Sequence, residues 1–200
     1  MKQALLFCYT EGVKHFLNHP LRIILGTNVL ALIAPAMLAP FYAVYVRKIG
    51  GDILDAGLAS SLFALVAGIT VIVAGKFSDK LDRRLVVSIG YLVTGLGFIG
   101  YIFVNSIAAL MFVQVVIGLA EASTLPAFDA IYSNHIGDSR HVSSRWGMWE
   151  ASNYFSIAVG AALGGFIVEF FGFNLLFLMM AALSMFAGFY LLLTPKKVLE

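Results

Sequence analysis

Six apolar runs, each bounded by charged or turn-forming residues, constrain this 200-residue chain more than any other feature. Read with a window of about 19 residues, they cover residues 21–46, 54–74, 85–104, 107–132, 146–168 and 175–193. A basic loop at 76–84, the pair Asn105–Ser106, a polar stretch at 133–145 and the turn at 172–174 separate them, and Thr194 and Pro195 end the last. Crossing about 30 Å of hydrocarbon at about 1.5 Å per residue takes roughly 20 residues in a helix. Barrel strands would be about 10 residues long and alternate in polarity. The expected fold is therefore all-α and integral to a membrane: a bundle of six transmembrane helices.

Composition agrees. Hydrophobic residues make up 60 % of the chain and charged residues 12 %, against about 45–50 % and about 25 % in a soluble domain. The mean hydropathy is +0.92. A net charge of +2 is too small for a nucleic-acid-binding field. The single cysteine, Cys8, excludes an intrachain disulfide and a cysteine-based metal cage. His15, His19, His135 and His141 lack ligand spacing, so no metal is expected. No glycine-rich phosphate loop supports ATP drive, and no cofactor or intramembrane enzymatic arrangement is implied.

Six spans put both ends of the chain on one side, and basic residues say which. Lys2, Lys14 and Arg22 at the N-terminal end, the 2–3 and 4–5 loops and the tail together supply eleven Lys and Arg, whereas the other face has only Arg47 and Lys48. By the positive-inside rule both termini are cytoplasmic, and the chain reads as a multi-pass protein of the plasma (inner) membrane. Residues 1–20 form a separate cytoplasmic segment, the six-helix domain covers 21–193, and 194–200 is a cytoplasmic tail. Leu5, Leu6, Tyr9, Val13, Phe16 and Leu17 fall near one helical face. That pattern fits a helix lying in the headgroup layer, the alternative being a frayed tail. Thr10, Glu11, Lys14 and His15 interrupt the stretch too early for a signal peptide.

Ionisable groups inside a span cost about 2.5–3.5 kcal/mol on insertion scales, so each needs a reason. Gln114, Gly118 and Glu121 follow at spacings of four and three and share a face of the fourth span. Glu121 is the leading candidate for substrate or proton binding, because a desolvated carboxylate suits the loading and unloading of a proton. The plainer alternative is a buried glutamate satisfied by a neighbouring helix. Asp129, two turns nearer the cytoplasm, reads first as an ion pair with a loop arginine such as Arg83, or else as vestibule lining. Glu150, Asn153 and Tyr154 form a stripe on the fifth span, with Glu150 either at the cytoplasmic mouth or paired with Arg140 or Arg145. Asn28, Pro35 and Tyr42 share a face of the first span, where Pro35 and Pro40 are expected to kink the helix. Tyr42 reads equally as an interfacial anchor. Gly160 and Gly164, with Gly165 adjacent, present a face that another helix can approach closely.

The loop after the second span, Gly75-Lys76-Phe77-Ser78-Asp79-Lys80-Leu81-Asp82-Arg83-Arg84, resembles the 2–3 loop signature of the major facilitator superfamily, Gly-x-Leu-Ala-Asp-Arg-x-Gly-Arg-Arg. Gly75, Asp79, Arg83 and Arg84 match, and Lys80 keeps the charge. Phe77, Ser78 and Asp82 depart from it, Asp82 being tolerable as one of the residues that visit positive φ. Gln114 to Gly118 resembles an Arg-x-x-x-Gly element with glutamine for arginine. Gly160 to Gly165 resembles the antiporter element Gly-Pro-x-x-Gly-Gly with Ala161 for proline.

The resemblance implies a secondary transporter of a small solute and a cavity lined by helices 1, 2, 4 and 5. Members of the family usually carry twelve spans in two six-helix halves. It also implies a second half, expected to be another copy in a parallel two-fold homodimer. A heteromer, a truncated N-terminal domain and a non-transporting membrane scaffold are the alternatives. Asp79, with Gly75, Arg83, Arg84, Asp129 and Arg145, would then serve as a cytoplasmic gate or latch, with Asp79 facing the positive N-terminal end of the partner's fifth helix.

Overall fold

The computed structural model describes residues 18–78, 80–136 and 142–199. Six helical spans run antiparallel in sequence: His19–Lys48, Ile53–Ser78, Arg83–Phe103, Ile107–His135, Val142–Phe171 and Phe173–Leu193. A last helical turn, Lys196–Leu199, follows. The six apolar runs thus correspond to six helices, with the ends displaced by a few residues. The fifth begins at Val142 rather than Trp146 because the polar residues ahead of the tryptophan already make helical turns. The headgroup-layer helix expected over the first 20 residues lies outside the described residues up to position 17, while His19 and Pro20 open the first span.

Helix ends are set by local chemistry. Asp52 and Asp55 exchange side-chain to backbone hydrogen bonds of 2.9 Å in both directions, a reciprocal cap on the second span. Ser106 accepts from the Ala109 amide at 3.3 Å and starts the fourth. Asp82 has φ −65° and ψ 103° and accepts from the Arg84 and Leu85 amides. It is an extended N-cap, so the left-handed backbone anticipated at this position is not adopted. Gly172 does adopt it, with φ 81°, and its amide returns to the Ile167 and Val168 carbonyls to close the fifth span and open the sixth.

The first span is broken at the second of its two prolines. Pro35 stays within the helix His19–Leu38, and the break comes at Ala39–Phe41, a 3-10 turn containing Pro40, before helix resumes over Tyr42–Lys48.

The third and sixth spans pack closely together, and the chain of neighbours runs second, fourth, third, sixth, first, fifth. The first and fourth spans touch only lightly. Glycines permit the closest approaches: Gly95 meets Met185 and Ala181 of the sixth span, and Gly188 meets Ser88 and Leu92 of the third. Gly160, Gly164 and Gly165 face Ile33, Ala36, Met37 and Phe41, so the helix that uses the small-residue face of the fifth span is the first span of the same chain.

Two buried clusters form the core. One, around Tyr45, Tyr101, Phe177 and Met180, fills the end near the 1–2 turn; the other, around Leu21, Tyr91, Phe128 and Tyr132, fills the basic end. The second and fifth spans are the least buried, with Leu65, Ile69 and Ile72 on one and Phe155, Phe166 and Phe170 on the other exposed.

Candidate functional site

Between the two apolar clusters lies a layer that belongs to neither. Asn28 falls between Leu25 and Ala34 of the first span, Thr94 between Tyr91 and Phe98 of the third, Glu121 between Ile117 and Ala127 of the fourth, and Ser184 between Ala181 and Ala187 of the sixth. Four spans therefore each contribute a polar residue at mid-height of the bundle. These four, with Tyr91 and Thr124, line a hollow of about 40 Å³. Asn28 accepts from the Tyr91 hydroxyl at 3.4 Å. Asn28 Nδ2, Thr94 Oγ1 and Ser184 Oγ are buried without a hydrogen-bond partner among the described residues. Burying polar atoms unpaired costs stability, and a polar hollow of this size has room for water that would satisfy them.

Glu121 joins this hollow to a second, more open one of about 210 Å³, where Tyr42, Ser60, Phe63, Phe98, Tyr101 and Gln114 contribute to the wall. Gln114 is held at both ends of its amide: Nε2 donates to the Tyr42 hydroxyl, and Oε1 accepts from the Tyr101 hydroxyl at 3.3 Å. Tyr45 in turn donates to the Tyr101 carbonyl at 2.8 Å. Among the described residues no side chain donates to the Glu121 carboxylate; its backbone carbonyl accepts from Thr124 at 2.7 Å. The open hollow faces the lightly touching seam of the first and fourth spans, with Pro35, Leu38 and Ala39 at its edge.

Of the residues singled out from sequence, Glu121, Gln114, Asn28 and Tyr42 line these two hollows, as does Pro35. Glu150 and Tyr154 are exposed on the fifth span and Asn153 is half-buried; none of the three lines either hollow. Asp129 is exposed on the fourth. The lining residues Tyr91, Thr94, Tyr101 and Ser184 escape a sequence reading, since a lone hydroxyl or tyrosine in an apolar run is ordinary in any membrane helix. A registered comparison of the four spans, aligned at Glu121, is the signal that would have found them.

At the basic end, Asp79 and Arg140 lie outside the described residues. Arg84 donates to the Leu192 carbonyl at 3.2 Å and to the Thr194 carbonyl, so it closes the C-terminal end of the sixth span. Arg145 is buried, and its carbonyl accepts from the Tyr132 hydroxyl. Tyr132 packs edge-on to Trp146 at 5.2 Å, and Trp149 adjoins both. These aromatics bring the fourth and fifth spans together at this end. Gly75 has open space where a Cβ would stand.

The family model for the Major Facilitator Superfamily matches residues 24–200. The chain belongs to the major facilitator superfamily. Members are transporters rather than enzymes, and the six-helix bundle is consistent with one half of such a protein. The chain is similar to an uncharacterised MFS-type transporter of Methanocaldococcus jannaschii, at 22 % identity over 81 % of this chain and 42 % of the relative. It is similar to the multidrug resistance protein MdtG of Dickeya zeae at 25 % identity, covering 82 % of this chain and 41 % of that one. The quinolone resistance protein NorB of Staphylococcus aureus is 28 % identical over 72 % of this chain and 31 % of its own length. The chain thus spans less than half the length of these relatives.

Proposed function

We propose that this superfamily bundle is one half of a secondary transporter that moves a small amphipathic solute by alternating access, with Glu121 as the proton- or substrate-binding group. The observation that carries this reading is the position of Glu121: its carboxylate, without a donor among the described residues, joins a polar hollow to an open aromatic one at mid-height of the bundle. Carriers place their substrate sites near the bilayer midplane, at the interface of two repeats. The names of the multidrug and quinolone resistance relatives support an organic substrate, and so does a wall in which Phe63, Phe98 and Tyr101 surround the few polar groups.

A wet wall beside the apolar faces of the second and fifth spans needs a cover. In our reading the cover is a second copy in parallel, related by a two-fold axis along the membrane normal, with the basic end and both termini cytoplasmic. A different six-helix half serves the same geometry. The 2–3 loop, with Asp79, Gly75 and Arg83, would face that second half and latch it at the cytoplasmic end.

Proteoliposome flux of a fluorescent amphipathic cation under an imposed proton gradient tests the reading. Glu121→Gln should abolish gradient-driven movement while the protein keeps its melting temperature. Unchanged pH-dependent flux would reject the coupling role. Cross-links between cysteines introduced on the second and fifth spans should give one homotypic product in native membranes, and a solitary chain there would reject the two-fold assembly.

A further inference from the structure

The basic end holds a second concavity, away from the hollows around Glu121. A pocket of about 320 Å³ lies where the third span starts, the fourth span ends and the terminal turn Lys196–Leu199 folds back. Lys80, Arg83, Arg84 and Lys196 contribute to its wall with Asn134, and Asp82 is the one carboxylate among its described lining residues. That carboxylate is already engaged with the backbone amides of Arg84 and Leu85. Arg84 spends one nitrogen on the end of the sixth span, and its Nε is buried without a partner among the described residues.

Leu81 and Asp82 line this pocket and also a neighbouring groove of about 550 Å³. The groove is apolar. It runs between the third and fourth spans past Leu85, Ile89 and Val93 on one side and Val116 and Leu119 on the other. From Leu85 to Val93 the third span advances about 12 Å at about 1.5 Å per residue, from the end of the helix toward its middle. Ile89 and Leu119 are exposed along it. A concentrated positive pocket at the basic end, sharing Leu81 and Asp82 with a trough that descends along two helices, complements a molecule with an anionic head and an aliphatic tail.

We propose that this paired pocket and groove is a binding site for an anionic phospholipid, the phosphate held by the Lys80–Arg84–Lys196 cluster and one acyl chain laid between the third and fourth spans. Basic pockets at the ends of transmembrane helices are a recurrent way of holding acidic headgroups. The site needs only that the basic end meet a membrane surface, so it stands apart from any role of Glu121. By clasping the start of the third span to the end of the sixth, a bound lipid would stiffen the same junction that Arg84 closes.

Native mass spectrometry of the full chain in detergent provides the test, with phosphatidylglycerol and phosphatidylcholine of identical acyl chains as probes and inorganic phosphate as the soluble control. Phosphatidylglycerol should remain bound at collision energies that strip phosphatidylcholine, and should raise the melting temperature by several degrees. The Lys80→Gln/Lys196→Gln variant should weaken phosphatidylglycerol retention by roughly thirtyfold with phosphatidylcholine unaffected. Ile89→Trp, which fills the groove, should weaken retention of the lipid while leaving the effect of inorganic phosphate unchanged. Equal retention of the two lipids, or full retention in the lysine variant, would overturn the proposal. An inorganic phosphate effect as large as that of phosphatidylglycerol would also overturn it, by reducing the site to a pocket for free anions.

Discussion

Gln114 Nε2 donates to the Tyr42 hydroxyl, which ties the fourth span to the first at the residue where the first resumes its helix after the proline break. The contact sits at the edge of the open hollow, where the two spans otherwise touch lightly. Hydrogen bonds between transmembrane helices contribute about 0.6 kcal/mol on average, with about 1.7 as the upper end. Tyr42→Phe should therefore lower the melting temperature only slightly. Gln114→Leu, which strips the partners of both Tyr42 and Tyr101, should lower it more. A detergent melt of the two variants against the parent checks the order.

Gly164 marks the tightest helix approach in the bundle that a substitution can probe. A Cβ there would collide with the Met37 backbone, and one on Gly160 would stand 2.6 Å from the Ala36 Cβ. Overpacking of this kind costs about 1–3 kcal/mol, so Gly164→Ala should destabilise clearly. Gly75→Ala should not, because a methyl at Gly75 meets nothing within 4 Å in this chain. Paired thermal melts decide this, and a transport defect in Gly75→Ala with normal stability would point to a neighbour beyond this bundle.

Asp82 is predicted to tolerate glycine better than alanine. As an N-cap it satisfies two amides at the start of the third span. Loss of such a cap to alanine costs about 1 kcal/mol, and to glycine only a few tenths. Hydrogen exchange at the amides of Arg84 and Leu85 should accelerate most in Asp82→Ala.

Thr94→Val and Ser184→Ala should separate stability from function. Each removes a buried hydroxyl that has no partner among the described residues. The hollow has room for water that would satisfy these groups, so both variants should melt close to the parent while the polar layer around Glu121 loses hydration and flux falls. Melting curves and proteoliposome uptake, measured on the same preparations, test the pair together.

The sequence made the six helices legible because a span must be about 20 residues of apolar helix wherever it ends up. Its caps were partly legible too: Asn105–Ser106 and Gly172 stand where the chain must turn. Asp82 has the character of a turn residue in the sequence, yet it caps the helix instead, since a carboxylate beside free amides gains more from accepting them than from a left-handed backbone. Glu121 stood out because a charge in the middle of an apolar run is costly enough to demand a role. The fifth-span stripe of Glu150, Asn153 and Tyr154 stood out for the same reason and yet does not line the hollows with Glu121, because helical spacing fixes which residues share a face but not which neighbour that face meets.

Chain order and hydropathy by themselves determined how many times this protein crosses a membrane, and charge distribution between the loops supplied an expected orientation. Those depend on local transfer energies, residue by residue. The tertiary structure decided that the Gly160–Gly164 face is taken up by the first span, that Arg84 closes the sixth, and that Asn28, Thr94, Glu121 and Ser184 meet at one height. Each of these joins residues tens of positions apart, and only the packing of helix against helix determines which of many equally apolar surfaces come together.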